Sequence, residues 1–98
     1  MATIIIPTPL RKFTSNNATL LTNKSKVIEA LKDVSLKFPG IKQHLFDENE
    51  NIRSFINIFV DDEDIRALSN EQTSVTEEST IAIIPAIAGG KTNSLWKI

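Results

Sequence analysis

The sequence predicts an α+β domain in which a mixed sheet of four to five strands packs on one main helix. Three observations carry this expectation. A single stretch has helical apolar spacing, short β-branched runs lie on both sides of it, and an apolar run at residues 80–84 closes the pattern before a glycine pair. One helix can cover only one face of a sheet, so the other face is left for solvent or a partner.

Taken in order, Thr3 to Ile6 is a β-branched run ended by Pro7, and Ala18 to Thr22 is a second apolar run. Ser15, Asn16 and Asn17 supply turn chemistry between them, so the two runs read as a hairpin whose long loop carries Leu10 and Phe13. Val27, Ile28, Leu31, Val34 and Phe38 then recur at three- and four-residue steps, with Asn23 or Ser25 as the expected cap. Pro39-Gly40 ends this helix, because proline is disfavoured in helix interiors and glycine suits the turn that follows. A short helical turn is expected over Ile41 to Phe46, then a polar loop.

Phe55-Ile56-Asn57-Ile58-Phe59-Val60 is the clearest strand. The acidic residues Asp61 to Asp64 are expected to turn it into a short partner around Ile65-Arg66. A polar stretch from Ser69 to Ser79 leads to the last strand, Thr80 to Ile84, which Pro85 stops. The expected division is a folded domain over residues 1–88 and an arm over residues 89–98.

Composition excludes several function classes. The chain has 98 residues, 41% of them hydrophobic, which suffices for one core without disulfides or metals. It contains no cysteine, so thiol catalysis and cysteine-ligated metals are ruled out. Eleven basic and twelve acidic residues give a net charge of −1, with no basic stripe for nucleic acid. The apolar run Ile4-Ile5-Ile6 is too short for a signal-peptide core, and no stretch is long enough for a membrane span. A cytoplasmic protein without nucleic-acid or membrane partners is expected.

Candidate sites reduce to a few. His44 is the lone histidine, so a histidine triad or multi-histidine metal centre cannot be assembled, and it reads as ordinary structure. Asp61 to Asp64 lack the glycine and distant glutamate of a twelve-residue calcium loop and read as a solvated turn. Gly89-Gly90-Lys91-Thr92 resembles the end of a phosphate-binding loop, but Pro85 stands where the earlier glycine is required. No nucleophile, base and orienting group occur as a set, so no enzymatic activity is expected. What remains is Gly89-Gly90 itself, a pair without side chains that can enter a narrow cleft.

Strand parity adds a surface to this arm. If Ile56, Ile58 and Val60 face the helix, Phe55 and Phe59 face outward; if Ile81 and Ile83 face inward, Ala82 and Ile84 face outward. Phe55, Phe59, Ala82 and Ile84, with Ala88 on the arm, are therefore the candidate partner-binding residues. The competing expectation is that the loop from Pro7 to Phe13, or Trp96, covers some of them.

Three segments resemble one family. Ile6-Pro7-Thr8-Pro9-Leu10-Arg11, the run from Phe55 through Asp61-Asp62-Glu63-Asp64-Ile65-Arg66, and Ile83-Ile84-Pro85-Ala86-Ile87-Ala88-Gly89-Gly90 are similar, in order and spacing, to the MoaD/ThiS sulfur carriers. Within that family the likeness is greatest to the CysO type used in cysteine biosynthesis. The resemblance implies a ubiquitin-like β-grasp fold. It also implies a terminal glycine carboxylate that an E1-like enzyme adenylates and converts to a thiocarboxylate, with Gly90 as acyl carrier and Gly89 as spacer. ATP, metal and pyridoxal phosphate would belong to partner enzymes, the last to a cysteine synthase. Unlike most such carriers, this chain continues from Lys91 to Ile98. Two readings follow. Either a protease, of the JAMM metalloprotease type in related systems, cuts between Gly90 and Lys91 to give a carrier, or the protein is a ubiquitin-like modifier or a non-catalytic binding module with an uncleaved tail.

Overall fold

The structure is a computed structural model and describes residues 1–85. Five strands form one sheet: β1 (Ala2–Ile5), β2 (Thr19–Thr22), β3 (Ile56–Val60), β4 (Glu63–Asp64) and β5 (Thr80–Pro85), in the spatial order β2-β1-β5-β3-β4. β1 runs parallel to β5, and every other pairing is antiparallel. The last strand thus lies at the centre of the sheet. β1 and β5 end on the same edge, where the chain passes Pro85 beside the loop that begins at Pro7.

The main helix α1 (Val27–Lys37) buries Val27, Ala30, Leu31 and Val34 against the sheet. From the opposite side come Ile4, Ile58, Ile81 and Ile83, all nearly inaccessible to solvent. Fully burying each such side chain contributes on the order of 2 kcal/mol. Lys37 pairs with Asp33 across one helical turn at 3.4 Å. Pro39 has no N–H to continue the helix and forces Phe38 toward extended geometry (φ −131°, ψ 79°). A 3₁₀ turn over Pro39–Ile41 and the short α2 (Lys42–Leu45) then seat Ile41 and Leu45 in the core.

Two expectations are corrected. The helix cap is neither Asn23 nor Ser25 but Lys26, which makes no side-chain capping bond. The role is taken by backbone from elsewhere: Val27 N–H donates to the Thr73 carbonyl at 3.0 Å, and Val75 N–H to the Ser25 carbonyl at 2.8 Å. The short fourth strand falls on Glu63–Asp64 rather than Ile65-Arg66. Only Asp61 and Asp62 form the turn, both at positive φ (50° and 74°), the two-residue geometry whose twist matches a hairpin. Ile65 instead starts a 3₁₀ turn and is buried.

The hairpin of β1 and β2 holds as expected, with Ser15 and Asn16 at positive φ in its turn. Its long loop coils into a 3₁₀ helix over Thr8–Phe13 that buries Leu10. Among the described residues no helix is long and apolar enough to cross a membrane.

Candidate functional site

The outer face of the sheet follows from the two-residue alternation of strands. Ile56, Ile58 and Val60 are buried toward α1, as are Ile81 and Ile83, which leaves Phe59, Ala82 and Ile84 on the outside. The register brings them together: Phe59 lies directly opposite Ala82, Ala82 opposite Ile5 on its other side, and Ile84 opposite Asn57. An apolar row of Ile5, Ala82 and Phe59 therefore crosses three strands, and Ile84 stands one step nearer the edge where the chain leaves the sheet.

Exposure within this row is graded. Ile84 and Ile5 are exposed at 36% and 38%, whereas Phe59 and Ala82 are half-buried. Phe59 faces outward as parity requires but is less open than expected, because its strand neighbours crowd it on both sides. Phe55 is exposed in the turn that precedes β3, with the Arg53 guanidinium 5.8 Å above its ring.

The loop from Pro7 flanks this surface without capping it. Ile5, Pro7, Pro9, Arg11, Ala82 and Ile84 line an open groove of about 470 Å³. Arg11 is held there by its Nε, which donates to the Ile6 carbonyl at 3.0 Å. Phe13, at the far end of the loop, turns the other way and stacks on His44 at 4.3 Å between ring centroids. Sequence reasoning missed Ile5 and Arg11 as members of this surface. Parity along β1 would have marked Ile5, but Arg11 is placed by the 3₁₀ coil of the loop, which leaves no local signal.

The acidic stretch is committed to structure. The Asp61 carboxylate accepts from Thr80 N–H at 2.9 Å and thereby ties the β3–β4 turn to the start of β5. Asp64 receives both the backbone N–H and the guanidinium of Arg66. The side-chain hydrogen bonds from Arg66 hold the Asp64 carboxyl below its ordinary value, and the same contact raises Arg66. Among the described residues no group of three His, Cys, Asp or Glu side chains is placed to hold a metal ion. Gly89, Gly90, Lys91, Ala88 and Trp96 lie outside the described residues, as does the expected division at residue 88.

Comparison with known proteins agrees with this architecture. The ThiS family model matches residues 4–90. Over 90 residues the chain is 30% identical to the sulfur carrier protein CysO of Mycobacterium tuberculosis, covering 90% of this chain and 97% of that protein. Among solved structures, a chain in the Amycolatopsis orientalis BexX/CysO complex superposes with a TM-score of 0.83 at 37% identity, covering 92% of this chain and 100% of that one. The small archaeal modifier protein 1 of Methanosarcina acetivorans superposes with a TM-score of 0.78 at 27% identity, covering 91% of this chain and 95% of that one. The five-stranded mixed sheet on one main helix is thus the ubiquitin-like β-grasp fold. With its family match running from β1 through the glycine pair, the chain belongs to the ThiS family.

Proposed function

We propose that this protein is a sulfur carrier whose working end is created when the bond between Gly90 and Lys91 is cut. The observation that carries this reading is where the family match stops: at residue 90, the second glycine, with eight residues of the chain still to come. Likeness to CysO of Mycobacterium tuberculosis supports sulfur carriage, and cysteine biosynthesis is the favoured destination over thiamine or molybdopterin.

The chemistry explains why the cut is required. A carbonyl inside a peptide bond carries no carboxylate oxygen, so it cannot form an acyl-adenylate. Once released, the Gly90 carboxylate oxygen attacks the α-phosphorus, pyrophosphate departs, and the acyl-adenylate forms. Hydrosulfide then attacks the acyl carbon and AMP departs, which leaves the thiocarboxylate. ATP and the metal belong to the E1-like enzyme, and pyridoxal phosphate to a cysteine synthase that accepts the sulfur. A JAMM-type protease is the proposed source of the cut. The Ile5, Ala82, Phe59 and Ile84 row is the surface on which the adenylating enzyme docks, with Phe55 and Ala88 as further contacts; the half-buried Phe59 and Ala82 form its centre and Ile84 its edge. Gly89 serves as spacer between that surface and the reacting carbonyl.

Intact-mass measurement of the protein purified from its own cells tests this. A chain ending at Gly90, with sulfur replacing one oxygen in a fraction of molecules, is expected. Uniform full-length chains through Ile98 would overturn it.

A second reading is supported by the likeness to the small archaeal modifier protein 1 of Methanosarcina acetivorans: the released Gly90 joins a lysine amine of another protein. Isopeptide-linked peptides carrying the Gly89-Gly90 remnant would mark it.

A further inference from the structure

We propose that the free edge of β2 pairs with the same edge of a second copy of this chain. The sheet ends on two strands of opposite character. β4 presents Glu63 and Asp64, charges that oppose edge-to-edge association. β2 carries Thr19-Leu20-Leu21-Thr22 in the middle of an uncharged stretch that runs from Phe13 to Asn23. Among the described residues, no charge or proline within the strand and no bulge protects it.

The hydrogen-bond parity of β2 determines which groups point away from the sheet. Ile6 N–H donates to the Ala18 carbonyl at 2.8 Å, so Ile6 and Ala18 are a hydrogen-bonded pair. In an antiparallel ladder such pairs alternate, which makes Ile4 with Leu20 and Ala2 with Thr22 the next two. Thr3 with Leu21 and Ile5 with Thr19 are then the non-bonded pairs, and Thr3 N–H accordingly turns to the other side and donates to the Ser79 carbonyl at 3.0 Å. The N–H and C=O groups of Thr19 and Leu21 therefore point outward from the edge, and among the described residues they have no backbone partner.

This arrangement is self-complementary. A two-fold axis perpendicular to the sheet at Leu21 lets Leu21 exchange both backbone hydrogen bonds with Leu21 of the second copy, and sets Thr19 against Asn23. Outer residues stay on the outer face under this rotation, so the Leu21 side chain, 57% exposed in the single chain, meets its equivalent. A two-fold axis at Leu20 would instead pair Thr19 with Leu21 of the second copy at two places and leave Leu20 itself unbonded, one bonded pair fewer than the axis at Leu21, and the exposed Leu21 side chains would not meet. The pairing joins one short strand per copy, so the association is weak and dependent on concentration.

The absence of cysteine from the chain makes the register directly testable. Single variants Leu21→Cys and Thr19→Cys are oxidised at matched concentration, and dimer formation is timed on non-reducing gels. Only at Leu21 are the two Cα atoms, about 5.5 Å apart in a hydrogen-bonded pair, within disulfide range, so Leu21→Cys is expected to cross-link about tenfold faster than Thr19→Cys. Equal rates, or a faster Thr19→Cys, would overturn the proposal. Sedimentation equilibrium of the unmodified chain provides the second arm: self-association weakening in Leu21→Lys is expected, and a monomer at about 1 mM would count against the pairing. Circular dichroism verifies that each variant is folded.

Discussion

Ile83 and Ile84 are adjacent in the chain and differ in everything that matters to their roles. Ile83 is 2% exposed and packs in the core, while Ile84 is 36% exposed beside the Pro7 loop. Ile83→Ala is expected to cost about 3 kcal/mol in urea unfolding, the sum of lost transfer free energy and a cavity that does not collapse. Ile84→Ala is expected to stay within about 0.5 kcal/mol, as for surface substitutions generally. Asp64 offers a residue-scale test of electrostatics. Its carboxyl titrates below the ordinary 3.8 in the folded chain, chiefly through the hydrogen bonds from Arg66, so its contribution is present above pH 3.8 and is lost as pH falls through the depressed folded value. The stability difference between the wild type and Asp64→Asn, followed by urea unfolding, is therefore expected to shrink below that pH. The pair lies at the surface, so the difference is small throughout.

At the scale of elements, the β3–β4 turn shows how few residues hold the second half of the sheet. Asp61 combines positive φ with a carboxylate that accepts from Thr80 N–H. Asp61→Ala removes the acceptor and places a Cβ without polar compensation in the left-handed region, for an expected loss of about 2 kcal/mol. Asp61→Asn keeps both the acceptor and the tolerance for that backbone geometry and is expected to lie close to wild type. Thermal unfolding of the two variants separates these outcomes. The strand itself was legible because Ile56, Ile58 and Val60 alternate with polar or aromatic residues. The two-residue turn was not, because four consecutive acidic residues look alike in sequence and only the pairing of Val60 with Glu63 selects two of them. The start of α1 was obscured in the same way. Its cap is backbone from Thr73, forty-six residues after Val27, and no local pattern encodes such a partner.

On the scale of the whole molecule, the proposed carrier function assigns docking to the outer face of the sheet and the chemistry to the glycine pair. Under the carrier reading, Phe59→Asp and Ile84→Glu leave the chain folded but lower kcat/KM for adenylation of a chain ending at Gly90 on the order of tenfold, since truncating a docking anchor typically costs more than 1 kcal/mol. Unchanged adenylation in both variants, measured by pyrophosphate release, would remove the surface from the site. The amino-acid sequence by itself determined the fold class, the inward and outward parity of β3 and β5, and the family, because periodicity and a short motif are local properties of a chain. Only the tertiary structure decided that β5 lies between β1 and β3, that Ile5 joins Ala82 and Phe59 in one row, and that Arg11 borders the groove at Ile84. These depend on which strands pair and in what register, a choice made by burying Ile4, Ile58, Ile81 and Ile83 under one helix at once.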